Sequence, residues 1–379
     1  MHVVKNPVER SPAAAPDLML TGAVVTLVAI GLIMIFSASS AIAVALHDDG
    51  TYFFKRQLSW LAVAALPAFV VYRVDYQRLR KLAPFGIAAS IGLLLLVLIP
   101  HVGKLAGGAS RWLALGPVQF EPSEFAKLAL VLYLASALAT KGERIKSLTN
   151  GVFPLAFVAG LLVMLVIKQP DMGTATLLAF TTGTMLFVAG ARIPHLLAVV
   201  AAVAPPAILL VRHDPYKWAR ILAFLDPWKD QQDKGFHIVQ SLMALGSGGW
   251  FGVGLGFSRQ KYFWLPEAWT DFIASIIGEE AGLIGIIAIV ALFVLIAYRS
   301  IRIALGTQDR FGFFLVIGCT AVVVIQAFVN LGVVSASWPV TGVPLPFISF
   351  GGSSLATSLV AIALILNVGR SRRPAAPAA

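Results

Sequence analysis

The ionisable residues that stand beside long apolar runs are where chemistry is most readily sought. Such a group costs several kcal/mol at membrane depth unless it is paired or faces a wet cavity. Four clusters on three stretches qualify. In LPEAWTDFIASIIGEEAG (265–282), Thr270 is a plausible N-cap. Asp271 would then fall in the first helical turn, where the helix dipole favours an ionised carboxylate. An acid at that place either caps a helix or serves as a general base, and Glu267 could do the same work. Deeper in the run, Glu279 and Glu280 lie eight and nine residues on and turn away from Asp271, which suits a structural pair satisfied by neighbours or protonated. In GGASRWLALGPVQFEPSEFAKLAL (107–130), Pro122-Ser123-Glu124 opens a helix, and Glu124 and Lys127 can meet at i, i+3. That spacing fits a local ion pair. It equally fits an anion site in which Arg111 offers a planar fork and Lys127 a point charge, as a phosphate or diphosphate needs. In IKQPDMGTA (167–175), Asp171 precedes a helix start, as a cap or as a further site acid.

Other chemistries find less support. The histidines at 2, 47, 101, 195, 213 and 237 are scattered, and Cys319 is the only cysteine, so a His- or Cys-built metal centre is not expected. GSGGWFGVGLG looks superficially like a nucleotide-binding glycine loop, but no strand precedes it.

The elements that must position these residues follow from composition. The chain is 58% hydrophobic and 12% charged over 379 residues, whereas a soluble domain carries about 25% charge. Such a chain cannot clothe a water-facing surface. Apolar runs at about 18–46, 57–72, 82–99, 122–140, 151–167, 173–190, 193–211, 271–298, 311–334 and 348–368 predict an all-α, polytopic membrane protein. The expected form is a single bundle of about ten spans over 1–379. Tails occupy 1–17 and 369–379, and a long loop occupies 212–270 between spans 7 and 8. The first run has no cleavage site at the expected distance and reads as a retained helix. With the N-terminus inside, 16 of the 29 basic residues fall in inner segments, which places both termini in the cytoplasm. The net charge of +11 is therefore mostly a topology signal, with no nucleic acid expected as a partner. Of the 18 acids, 11 fall on the outer side or at outer helix ends. Within the long loop, residues 235–256 suggest a short amphipathic helix on the membrane face, then a glycine-rich stretch.

Read together, GGASRWLALGPVQFEPSEFAKL (107–128), KQPDMGTA (168–175), RILAFLDPWKD (220–230), QSLMALGSGGWFGVGLG (240–256), SRQKYFWLPEAWTDFIASIIGEE (258–280) and VTGVPLPFISFGGSSL (340–355) resemble the FtsW/RodA/SpoVE group, the SEDS cell-wall polymerases. The passage through SRQKYFW is closer to the FtsW and SpoVE branches than to RodA. The resemblance implies a peptidoglycan glycosyltransferase of the bacterial cytoplasmic membrane that polymerises lipid II on the outer side, for septal wall synthesis in cell division. It implies Asp271 as the essential acid and points to Arg111 and Lys127; the reading of the residues adds Glu124, Glu267 and Asp171 as further substrate-binding candidates. It also implies a class B penicillin-binding protein transpeptidase and other division proteins as partners.

The implied chemistry is an inverting transfer. A sugar hydroxyl attacks the anomeric carbon of a donor carried on undecaprenyl diphosphate. Asp271 accepts the hydroxyl proton, and Arg111 and Lys127 stabilise the leaving diphosphate. A divalent cation (Mg or Mn) held by Asp271 is compatible with this, although no carboxylate cluster requires it. Three positions depart from the family pattern. Trp269 replaces the usual His before TDF and cannot exchange protons, SFGG replaces SYGG at 349–352, and GEEAG replaces GEELG. A lipid II flippase and a non-catalytic scaffold for a transpeptidase are the competing readings. The flippase is disfavoured because polar groups gather near one face and do not line a full path.

Overall fold

A computed structural model describes residues 16–100, 102–106, 109–115, 118–233 and 235–371. The ten predicted runs all become helices within the series α1 (Leu18–His47), α2 (Tyr52–Arg73), the short α3 (Tyr76–Arg80), α4 (Ala83–Leu98), α5 (Pro122–Lys141), α6 (Phe153–Lys168), α7 (Met172–Val188), α8 (Ile193–His213), α9 (Pro215–Leu225), α10 (Phe236–Gly248), α11 (Ile273–Leu305), α12 (Arg310–Val334) and α13 (Gly352–Arg370), in which α3, α9 and α10 are added to them. Among the described residues, eight helical stretches are long and apolar enough to cross a membrane, and α4 and α7 are shorter apolar helices. The chain is thus a polytopic helical membrane protein, as expected. The expected tails lie largely outside the described residues.

One contiguous apolar core runs from Leu20 in α1 to Val368 in α13. Through it runs α12, most of whose residues are buried against other helices, with Gln326 and Asn330 as buried polar exceptions. In both α12 and α13, 72% of the spanning window is buried, against none in α8, which sits at the periphery. The ends are pinned by side chains. Asp17 caps α1 by accepting from the Leu20 N–H at 3.0 Å, and Arg299 near the end of α11 forks onto the same carboxylate, with Nη2 to Oδ2 at 2.7 Å. Asp309 caps α12 from the Gly312 N–H at 2.7 Å and accepts from Gln77 Nε2 at 2.7 Å.

Two features were not legible in the apolar runs. Between α4 and α5 the chain forms a small antiparallel sheet, β1 (Gly103–Ala106), β2 (Ala109–Leu115) and β3 (Val118–Phe120), ordered β1-β2-β3. The long loop is largely structured: α9 was not expected, and α10 forms where the amphipathic pattern placed it. However, α10 does not simply lie on the membrane face. It packs along the first turns of α11, where the Ser241 hydroxyl meets that of Ser275 at 2.8 Å and bonds the Val334 carbonyl of α12 at 2.7 Å.

The glycine-rich stretch after α10 explains a break in α11. Gly282 adopts φ 67°, ψ −167° inside the helix, and the freed backbone groups pair with the loop: Val253 N–H to Glu279 O at 2.9 Å, Gly254 N–H to Glu280 O at 3.1 Å and Leu283 N–H to Gly249 O at 2.9 Å. Non-helical backbone is tolerated at such depth only when protein satisfies it. The approach leaves no room for a side chain. A Cβ on Gly252 (φ 79°) would lie 2.1 Å from the Glu280 carbonyl oxygen, and one on Gly282 would lie 2.5 Å from that of Trp250. The glycines serve backbone packing, not nucleotide binding.

Candidate active site

Asp271 stands immediately before α11, at the end of the long loop. The helix begins at Ile273 with Phe272 as its cap residue and no side-chain cap bond. This corrects two expectations, because Thr270 does not cap the helix and Asp271 is not in its first turn. The Thr270 hydroxyl instead donates to Glu267 Oε2 at 2.8 Å. The segment is docked onto the α12–α13 connection: Ser349 Oγ donates to the Thr270 carbonyl at 2.6 Å and the Phe350 N–H to the Trp269 carbonyl at 3.0 Å. Asn330 of α12 donates to both the Asp271 carbonyl and the Val343 carbonyl, each at 2.7 Å. Gly342 (φ 71°) forms the facing wall, where an added Cβ would lie 3.3 Å from Asp271 Oδ2.

With its backbone held on all sides, the Asp271 carboxylate makes no hydrogen bond to any described residue. It keeps part of its surface open while protein surrounds it at longer range, as at the bottom of a pit. Burial pushes its carboxyl up to about 7. The Glu267 charge adds to this, Arg111 and Arg220 oppose it, and Asp171 pushes it further up. The expectation of a carboxylate held ionised by the helix dipole is therefore overturned, because loss of water and two like charges outweigh the cations.

Arg111, on β2, reaches across to the turn between α6 and α7, donating to the Gln169 carbonyl from Nε at 3.2 Å and to the Pro170 carbonyl from Nη2. Gln169 is itself fixed by donating to the Leu94 carbonyl at 2.9 Å. Asp171 in that turn caps α7 through the Thr174 N–H at 3.0 Å, so the capping reading holds, yet its charge also reaches Asp271 and Glu121. Glu124 and Lys127 form the pair that their spacing suggested, at 2.8 Å. Both are buried, and Lys127 Nζ also donates to Gln326 Oε1 at 2.7 Å. Gln326 in turn donates to the Pro344 carbonyl at 2.9 Å and the Ser354 hydroxyl at 3.0 Å. Lys127 thus ties α5 to α12 and α13 behind the mouth, while Arg111 and Asp271 occupy the mouth itself.

Several residues at this end carried no strong sequence signal. Glu121, just before α5, accepts from the Ser123 hydroxyl at 2.8 Å, and its carboxyl is pushed well above the usual range by burial and by Asp171 and Glu124, against the pull of Ser123 and Arg111. Arg220 lies on α9, in a polar loop where charge is unremarkable. His237 on α10 stacks on Phe272 at 5.7 Å, and burial and Arg220 depress its pKa while Glu267 opposes this. Asn330 and Gln326 had a usable signal, since uncharged amides inside a span also need partners. Among the described residues no three His, Cys, Asp or Glu side chains converge to hold a metal ion. The residues present do not form a protein cage for a divalent cation.

Comparison with known proteins follows this geometry. The chain is 46% identical over 352 residues to a protein of Trichlorobacter lovleyi named probable peptidoglycan glycosyltransferase FtsW, covering 93% of this chain and 92% of that one. It is 42% identical to the stage V sporulation protein E of Bacillus subtilis, covering 95% and 98%. Among solved structures, a chain from work on structural coordination of polymerization and crosslinking by a peptidoglycan synthase complex matches with a TM-score of 0.76 at 31% identity, covering 94% of this chain and 98% of that one. The rod shape determining protein RodA of Thermus thermophilus matches with a TM-score of 0.70 at 30% identity, covering 95% and 98%. The FtsW/RodA/SpoVE cell cycle protein family matches residues 17–374, nearly the whole of the helical bundle described above, and the chain belongs to that family.

Proposed function

We propose that this protein is an inverting peptidoglycan glycosyltransferase that polymerises lipid II for septal wall synthesis, with Asp271 as general base. The observation that carries the reading is the state of Asp271. It is a carboxylate with no hydrogen-bond partner, its backbone locked by Asn330 and Ser349, and its carboxyl raised to about 7. A base poised near the working pH combines a useful ionised fraction with a strong pull on a proton. It accepts the hydroxyl proton of the acceptor sugar as that oxygen attacks the anomeric carbon of the donor, and the bond to undecaprenyl diphosphate breaks on the opposite side. Arg111 is the proposed cation for the departing diphosphate, with Arg220 close enough to act on the same charge. Lys127 and Glu124 hold α5, α12 and α13 in register behind it, and Glu267 and Asp171 tune Asp271.

The topology supports an outer site in the cytoplasmic membrane with both termini inside. Asp271 precedes α11 and Glu124 opens α5, whereas Arg302 and Lys141 lie at the far ends of those helices with much of the remaining basic charge. That asymmetry favours a cytoplasmic far end. A transpeptidase that cross-links the product is the proposed partner. Purified protein assayed with lipid II beside such a transpeptidase should make glycan chains, and Asp271→Asn should not. Chains made at the wild-type rate by Asp271→Asn would refute the base assignment. Lipid II translocation without polymer from the wild-type protein would refute the polymerase.

A further inference from the structure

The second cluster of buried charge has no part in the chemistry above, and it is unusually complete. Glu279 accepts from the Ser258 hydroxyl at 2.5 Å, from the Arg259 N–H at 2.9 Å and from the Gln260 N–H at 3.3 Å. Glu280 accepts from Ser37 of α1, at 2.8 Å and 2.9 Å to its two oxygens, and from the Ser258 N–H at 3.4 Å. Lys261 reaches in to pair with Glu280 at 3.0 Å, and its ammonium also donates to the Gly256 carbonyl at 2.7 Å and the Ser37 hydroxyl at 3.1 Å. Both ends of the pair are buried, with side chains 4% and 0% exposed. Three separate stretches of chain, α1, α11 and the loop at 256–261, therefore meet on one ammonium.

We propose that Lys261 is a positioning residue for Asp271, clamping the returning loop to α1 and α11 so that the segment ending in Asp271 is presented in one register. The path from clamp to acid is short and stiff. Leu265 N–H bonds the Gln260 carbonyl at 2.9 Å, Leu265 and Ala268 are buried, and the Thr270 and Phe272 N–H groups both bond the Glu267 carbonyl, at 3.1 Å and 3.2 Å. The segment is thus held at its start by Lys261, just past the Glu279 bonds that fix residues 258–260, and at its end by Ser349, Phe350 and Asn330. Losing the Lys261 anchor lets residues 262–268, which lie beyond the Glu279 bonds, lift away from the bundle, which admits water to the pit and shifts Glu267 relative to Asp271. A buried ion pair is poor stabilisation against an apolar substitute, and fixing one arrangement is the better-attested use for it. The inference rests on the proposed function, because it assigns Asp271 the role of base.

The test is polymerisation of lipid II by full-length Lys261→Met beside its transpeptidase, with kcat and KM measured across pH. The groups facing Asp271 are Glu267, Asp171, Arg111 and Arg220, with His237 stacked on the neighbouring Phe272, and none of them is altered. The expected result is a fall in kcat of about tenfold or more with a smaller change in KM. Because wetting the pit returns Asp271 toward an ordinary carboxylate, the acid limb of the kcat profile should also move down by about one pH unit. Lys261→Arg should recover part of the rate. Should Lys261→Met fail to fold, Ser37→Ala removes a shared partner without stranding a charge, and the same displaced limb is expected at a smaller loss. An unchanged profile, with activity falling only as the folded fraction falls, overturns the proposal while wild-type polymerisation upholds the enzyme. Wild-type protein that makes no polymer removes the proposed function itself, and the clamp with it.

Discussion

Two carboxylates nine residues apart, Asp271 just before α11 and Glu280 inside it, are treated in opposite ways. Glu280 receives hydrogen bonds on both oxygens and an ammonium besides, so its charge is spent on structure. Asp271 receives none on its side chain, although its carbonyl is held by Asn330 and the two residues before it are held by Ser349 and Phe350. Burial is common to both, so burial alone marks neither. What separates a structural acid from the proposed base here is whether the protein has already satisfied it, since a fully bonded carboxylate has little left to offer a substrate proton.

Substitutions can break this comparison. Asp271→Asn should give the largest effect, a loss of polymerisation of about a thousandfold, within the range removed with a general base; gel analysis of lipid II products checks it. Glu280→Gln should leave Lys261 buried without its counter-charge and cost about 3–5 kcal/mol of stability, read as a lowered unfolding midpoint. The double variant Glu280→Met/Lys261→Met should recover much of that stability, but not the activity. Arg111→Ala should lower kcat by about a hundredfold through loss of charge facing the leaving group. Arg111→Lys should restore little, because one ammonium cannot hold both the Gln169 and Pro170 carbonyls as the fork does.

The raised carboxyl of Asp271 also has a sign that can be checked by melting. Its folded value of about 7 exceeds the value of 3.8 expected of an unperturbed group. The folded state therefore binds the proton more tightly, and this contribution to stability is complete below about pH 4 and is lost as pH rises through about 7. Asp271→Asn should melt above the wild type at pH 8 and alongside it at pH 4. Activity should follow the opposite course, rising through the same window as the base ionises. The smallest effect is expected at the exposed pair Lys55 and Asp49, where Lys55→Met should change neither melting nor rate measurably.

Much of the site was legible because a bilayer makes charge conspicuous. Asp271, Arg111, Lys127 and Asp171 each stood out as ionisable groups at the margin of an apolar run, and Glu124 with Lys127 paired at the spacing that suggested it. Arg220 escaped because a cation in a long polar loop costs nothing detectable in sequence, and its proximity to Asp271 depends on how α9 folds back. Glu121 escaped for a related reason: its carboxyl is raised first by burial and then by Asp171, fifty residues away in sequence and brought near by the α6–α7 turn. Lys261 was hidden in the same loop, and only its burial against Glu280 reveals it.

The sequence by itself determined that this is a helical membrane protein, where its spans run, and which family it resembles, because each of these is written in local hydropathy and in contiguous motifs. The tertiary structure alone decided that α11 is broken at Gly282 and mended by the loop at 249–254. It also decided that Lys127 is enclosed while Asp271 remains unpaired, and that the acid is raised toward neutrality instead of held ionised. Those outcomes depend on which distant groups share a water-poor space, and electrostatics in such a space is set by neighbours in three dimensions that no spacing along the chain records.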